Sequence, residues 1–555
     1  MAASMNTSVD PCSDFFAYSC GGWIQSNPIP DEKSGLTVNE LVVDRTMKAM
    51  KTAFEEGISK SSSSSEAAQQ AKSVRIVLDL YRECMDMATR DRRGLTPLKK
   101  LLKNILGSDW PAVNESTLVK GRLDLQNSKE GLLWAMAQAA SILPSAHLPF
   151  ISLYINKNPN GTLARIIHFD PPTFGLTANA FSNSKGSYYS EVDIYRRRIK
   201  KLAKLLFFSS SSRSFSNSST FEAMLESRSK EVFTLEQALA KATLVLAKER
   251  DTRNASFGDH RKTLEEFTRQ SSTGPGWETL NFTTYLNELA TLYHLPYRFN
   301  RSDTIIVGNV GYFEKLASIL STTPPLVLHN YLGYKLAWHW KDATDNRARY
   351  IRLWHRNRAW GITRMRPLWK DCLQSVTDTG VGGEWAASRL YVDRFVAPET
   401  RWQVSEMVDD LRKAFSEQIL KGNNNNNNTA WLDEPTQRKA LEKAARMRFI
   451  VAYPDWLLNN TALDQIKFGF TRKAEEEADH LMKAVKRGYF FESAVEASRQ
   501  QAAIPLRDLH LTPDVVRDFP VYKPVSVGAL ASLKYNAVGE YTCVHLLSYK
   551  VFYKL

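Results

Sequence analysis

The stretch Asp10-Pro11-Cys12-Ser13-Asp14-Phe15-Phe16-Ala17-Tyr18-Ser19-Cys20-Gly21-Gly22-Trp23, followed by Asn27-Pro28-Ile29-Pro30, decides how the rest of the chain reads. Its two cysteines flank an aromatic run, and Pro, Gly and Asn punctuate both ends. Residues 1–35 therefore read as an extended, turn-rich leading segment. Three more cysteines, Cys84, Cys372 and Cys543, bring the total to five, an odd number that leaves at least one without a partner inside the chain. Five unrelated buried thiols would also fit that count. Against that reading stand nine Asn-x-Ser/Thr sequons, at Asn6, Asn114, Asn160, Asn217, Asn254, Asn281, Asn300, Asn427 and Asn459, which favour a secreted or luminal setting. The first thirty residues contain no charged-then-apolar leader, and no run reaches the length of a membrane span.

Outward from that segment, 555 residues and 63.0 kDa exceed what one hydrophobic core usually spans, so two or more lobes are expected. A chain that is 43% hydrophobic and 24% charged is neither disordered, collagen-like nor a many-pass membrane protein. The formal charge of +14 is a mild excess over this length and does not by itself indicate nucleic acid.

The pattern is helical from about residue 37, where Val38, Leu41, Val42, Met47, Met50 and Phe54 form one stripe. A Ser run at 61–65 reads as a loop and residues 66–90 as a further helix. Between 148 and 176 two β-rich runs, LPFISLYIN and LARIIHFD, flank Lys157-Asn158-Pro159-Asn160-Gly161 and predict a β-hairpin. Residues 191–207 predict a basic amphipathic helix. Its Ile199, Leu202, Leu205 and Leu206 face a core, and its Lys and Arg face solvent rather than nucleic acid or membrane. Val404, Met407, Val408, Leu411, Phe415 and Ile419 mark one face of a helix over about 399–421, ended by the Asn run at 423–428. The fold class expected is mostly α, a large multi-helix lobe with a small β-hairpin insertion.

The leading segment closely resembles the start of the ectodomain in the neprilysin and endothelin-converting-enzyme family of zinc metalloendopeptidases. Later landmarks keep the family's order: Tyr81-Arg82-Glu83-Cys84, Phe169-Asp170-Pro171-Pro172 with Gly175-Leu176, Ser388-Arg389-Leu390-Tyr391-Val392, Trp431-Leu432-Asp433-Glu434-Pro435-Thr436, and Tyr453-Pro454-Asp455-Trp456. The resemblance runs over about residues 5–490. It implies a division into the leading segment 1–35, a neprilysin-type helical lobe at 36–490, and a divergent tail at 491–555 in place of the catalytic lobe. It also implies that Cys84 pairs with Cys372, and that Cys12 and Cys20 take partners in a catalytic lobe, leaving Cys12, Cys20 and Cys543 unpaired here.

The resemblance further implies a zinc ion held by an HExxH helix and a downstream ExxxD. HExxH places two His one helical turn apart with Glu as general base. None of the ten histidines is followed by Glu, and no two are four residues apart. No catalytic or metal-ligating residue is therefore expected, the catalytic zinc lobe is read as absent, and no cofactor is expected in this chain. The family also uses an Arg after the CGGW motif to pair with a substrate carboxylate, and bidentate pairing suits Arg to that task. Gly35 stands at that position, Glu40 where the family has an acidic neighbour, and Val43 where it has a second Arg; Lys33 is the nearest substitute. The function expected is a metallopeptidase-family protein, inactive as written, extracellular or membrane-anchored by family, acting on peptides only if a catalytic lobe is supplied. The alternative is a non-catalytic decoy or partner of a full-length paralogue.

Overall fold

The computed structural model describes residues 2–61, 70–112, 129–157, 165–184, 186–208, 219–244, 260–271, 280–377, 383–420, 432–446, 448–468, 472–485, 488–510 and 543–546. Helix dominates. The leading segment, expected to be extended, contains helix α1 (Phe15–Ser26). Asp14 starts it by accepting the Ala17 N–H at 2.8 Å, and Gly21-Gly22 lets the preceding turn lie directly against it. A Cβ on Gly22 would sit 2.6 Å from the Met5 carbonyl oxygen, so only glycine permits this approach. The aromatic run is not buried by the helix, and Phe15 and Phe16 stay exposed.

Helix α2 (Val38–Ser61) follows the predicted stripe, but the stripe sinks only gradually: Val38 is exposed, whereas Met47, Met50 and Phe54 are buried. Most of the predicted 61–65 loop lies outside the described residues. The helix expected over 66–90 is two helices, α3 (Lys72–Met85) and a short one from Met87 to Arg93. Asp86 divides them, because its carboxylate accepts the Thr89 N–H at 3.0 Å and caps the second helix. Val74, Ile76, Val77, Leu78, Leu80, Tyr81 and Cys84 bury α3 in a core that runs continuously from Met47 to Leu509.

The expected hairpin is present. β1 (Ser152–Lys157) pairs antiparallel with β2 (Arg165–Asp170), Leu153 opposite Phe169. It belongs to a larger sheet, however. β3 (Arg261–Thr263) and β4 (Thr304–Val307) complete a four-stranded order β1-β2-β4-β3, with β2 and β4 parallel. Short strands far apart in sequence carry little alternation, so only the hairpin was legible. A second pair joins β5 (Arg448–Val451) to β6 (Cys543–Leu546) in parallel.

The basic helix, α4 (Tyr189–Phe208), buries Ile199, Leu202 and Leu206 as expected, with Leu205 partly covered. Its basic face is open to solvent at Arg197 and Lys201, as expected, but other cations reach partners. Lys200 and Lys204 reach Glu222, and Lys200 and Arg196 reach Glu226, on the neighbouring α5 (Ser219–Ala242). Arg198 is buried and donates twice to the Tyr334 hydroxyl, at 2.7 and 2.9 Å, on α6 (Pro325–Trp340). Further along, the helix expected over 399–421 is α-helical from Pro398 to Ala414 and then a π-turn to Leu420. Its apolar face is split: Val404 and Val408 are buried with Val451, whereas Met407, Leu411 and Phe415 are exposed. Among the described residues its buried face packs on Val451 and Ala452 rather than on a broad core.

The lobe expected to close at 490 has its core continued by α9 (Phe490–Arg507), which packs against α3 through Phe490, Phe491, Ala494 and Val495. Glu83 of α3 is buried where α9 begins, beside Gly488 and Ser493. Burial raises its carboxyl to about 7; the nearby Ser493 and Gly488 and the charge of Arg82 oppose the rise, and Asp79 adds to it. A carboxyl whose folded value lies above its unfolded one stabilises the fold fully below the unfolded value, and that stabilisation is lost as pH rises through about 7. Glu83→Gln is therefore expected to flatten the fall in stability between pH 5 and 8, read as urea midpoints across that range. An unchanged pH profile in the variant would refute this.

Candidate functional site

Two further helices, α7 (Asn346–Trp360) and α8 (Leu368–Thr377), complete the ground on which the candidate residues meet. Asp345 caps α7 through the Ala348 N–H, and Gly361 ends it in the left-handed conformation. Cys372 of α8 is bonded to Cys84 of α3, with 5.6 Å between their Cα atoms and both side chains buried. That bond fixes α8 to the core, and α8 in turn presents Lys370 and Asp371 to α2, to α7 and to the loop that leaves α1.

Lys33, the sequence's substitute for the missing Arg, is not available to a ligand. Its ammonium donates to Asp44 of α2 at 2.8 Å, and Lys370 holds the other oxygen of the same carboxylate at 2.9 Å. Burial works against ionisation of Asp44, but the two lysines outweigh it and keep the carboxyl below its usual range. Glu40 is engaged elsewhere too. Its carboxylate accepts the Thr37 N–H at 3.0 Å while the Thr37 hydroxyl accepts the Glu40 N–H at 3.2 Å. This reciprocal pair is a capping box that starts α2. Val43 packs against the core. The spacing Thr37-Val38-Asn39-Glu40 already carried the capping signal.

Gly35 is different. A Cβ built there meets nothing within 4 Å, and its backbone is not left-handed. Gly35→Arg is expected to leave stability within about 0.5 kcal/mol of the parent, since surface changes away from special geometry cost little. A thermal melt measures this, and a large loss would show that the loop needs glycine.

Behind that loop lies a cationic cluster that the sequence reading passed over. Arg349, Arg352 and Arg356 fall at spacings of three and four along α7 and so share one face. Asp371 answers three arginines at once: Arg349 at 3.0 Å, Arg352 in a short hydrogen bond, and Arg366 at 3.9 Å. Asp342 pairs with Lys341 at 2.9 Å and with Arg352 at 3.5 Å. Arg356 alone of this face has no carboxylate partner among the described residues. Its guanidinium donates to the Glu32 carbonyl at 3.4 Å.

Of the other predicted positions, Cys12 is an exposed free thiol and Cys20 a partly buried one; the side chain of Cys543 lies outside the described residues. Asn6, Asn281, Asn300 and Asn459 are on accessible or partly accessible surface, with Asn281 and Asn459 capping helices. Asn114, Asn160, Asn217, Asn254 and Asn427 lie outside the described residues.

Among the described residues no group of three or more His, Cys, Asp or Glu is placed to hold a metal ion. His147 and His339 come together in space, ring centroids 5.4 Å apart, but no third His, Cys, Asp or Glu among the described residues completes a ligand set with them. Among the described residues no helix is long and apolar enough to cross a membrane.

Neprilysin-1 of Trittame loki is 27% identical over 97% of this chain and 66% of its own length; mouse neprilysin is 25% identical over 82% of this chain and 56% of its own. The chain thus spans about half to two thirds of the length of these curated relatives. In structure it is similar to the zinc metalloprotease ZMP1 of Mycobacterium tuberculosis (TM-score 0.66, 17% identity, 98% of this chain and 68% of that one) and to PepO of Lactobacillus rhamnosis (TM-score 0.66, 14% identity, 94% and 69%). These identities speak for the fold. The sequence model of peptidase family M13 matches residues 11–454, most of the chain, and the protein belongs to that family.

Proposed function

We propose that this chain is the helical lobe of an M13-type peptidase, the part that encloses a peptide substrate and limits its size, and that its residues do not themselves hydrolyse peptide bonds. The observation that carries this reading is the pairing of a family match over residues 11–454 with a sequence in which no two histidines have the one-turn spacing of a zinc-binding helix. The lobe is assigned to 36–490, with α9 at the start of the tail packed onto its core, and the tail from 491 has no counterpart motif for the zinc ligands. The Cys84–Cys372 bond and the nine sequons support an extracellular setting. Peptides are the expected ligand class, because the relatives are named as endopeptidases and neprilysins. Incubation of the purified chain with a quenched fluorescent peptide is expected to release no fluorescence above the blank. Cleavage that a chelator abolishes would contradict the reading.

A further inference from the structure

The cluster between α2, α7, α8 and the loop leaving α1 is unbalanced. Among the described residues seven cationic side chains share it with four carboxylates, Glu32, Asp44, Asp342 and Asp371. Charges taken out of water are normally paired, and an unpaired one carries a desolvation cost. Here the excess concentrates at one place. Arg352 and Arg366 already share Asp371, while Arg356, half-buried beside them, has only a backbone carbonyl at 3.4 Å. Burial, then the fields of Arg352 and Arg366, lower the proton affinity of Arg356, and the more distant Asp371 only partly opposes them. The loop it touches runs on to Gly35, beside which the space for a side chain is open.

We infer that Arg356, backed by Arg352 and Arg366, forms a binding site for an oxyanion, a carboxylate or a phosphate group, that enters beside the Glu32–Gly35 loop. A planar guanidinium with unused donors suits two parallel hydrogen bonds to such a group, and the anion would supply the missing countercharge. The site is a property of this lobe and stands whether or not any peptide is cleaved.

The test uses the full chain with two probes at matched ionic strength: inorganic phosphate, and a short peptide with a free terminal carboxylate alongside its terminal amide. Calorimetric titration is expected to detect at least one probe, with the amide weaker than the acid if the carboxylate is the ligand. Arg356→Gln is expected to weaken the bound probe at least about tenfold, as loss of one partner in a buried charge pair does. It is also expected to abolish the rise in melting temperature the probe gives the parent chain. Should that variant not fold, Arg356→Lys, which keeps the charge and loses the fork, carries the test with an expected loss of about threefold. Binding of phosphate alone assigns a phosphate ligand and binding of the acid alone a carboxylate. Absence of binding by both probes at millimolar concentration, or equal binding by the parent and the folded variant, overturns the inference.

Discussion

Serine at both Cys84 and Cys372 is expected to lower the unfolding free energy by about 5 kcal/mol, the largest loss from a change that removes no packing. The bond joins residues 288 apart, so in the unfolded chain it closes a loop that spans more than half of the protein. Loop-closure entropy grows with the logarithm of length, and a loop of this size lies at the upper end of what one disulfide contributes. Both sulfurs are buried between α3 and α8, which pack on each other within one core that includes Val77, Leu80, Leu373 and Val376, so the helices stay registered once the bond is gone. The variant should therefore fold to the same secondary structure and unfold at lower denaturant. Urea titrations of parent and double variant, followed by circular dichroism, measure the difference. Serine at Cys12 or Cys20, both free in this structure, should move the midpoint little. A double variant as stable as the parent would show that the bond constrains nothing that packing does not already hold.

Loss of the Glu236 carboxylate is the second large effect. Glu236 of α5 has no exposed surface, yet three groups from different parts of the chain converge on it. The Tyr195 hydroxyl of α4 donates to it in a short hydrogen bond, the Gly175 N–H donates at 3.1 Å, and the Lys335 ammonium of α6 lies 3.7 Å away. Glu236→Ala leaves a buried hydroxyl and a backbone donor without their acceptor, and the Lys335 ammonium, which keeps the Thr173 carbonyl at 3.2 Å, without its countercharge. Breaking a buried pair by removing one partner costs about 3–5 kcal/mol. Glu236→Gln keeps a carbonyl acceptor for Gly175 and turns its amide N–H toward the Tyr195 hydroxyl, which can accept, so it should lose less. Denaturant midpoints of the two variants separate the hydrogen bonds from the charge. Equal losses would assign the whole effect to the ion pair with Lys335.

Much of this fold was legible because its signals are local. The stripes of α2 and α4 and the alternation of the hairpin repeat within a few turns or residues, and burial follows them. The Gly-Gly pair reads as a turn until one sees that it admits Met5 and Ala3 against a helix, a contact between segments that no window in the sequence displays. The same holds for β4, whose neighbours β2 and β3 come from distant parts of the chain. At the site, Gly35 and Glu40 were found by their positions in a motif, yet Glu40 proved to be a helix cap and Lys33 an ion-pair partner. The Arg349-Arg352-Arg356 face is written plainly at spacings of three and four, but which of its members lacks a countercharge depends on Asp371 and Asp342. Those carboxylates arrive only when α8 and the end of α6 pack beside it.

The central claim is that a lobe of peptidase family M13 is folded here from residues that hold no catalytic zinc. Zinc content measured by mass spectrometry on the purified chain, after equilibration with micromolar zinc and removal of the free ion, tests it most directly. The account predicts well under one zinc per chain. One tightly held zinc per chain, lost together with peptide cleavage on chelation, would contradict it.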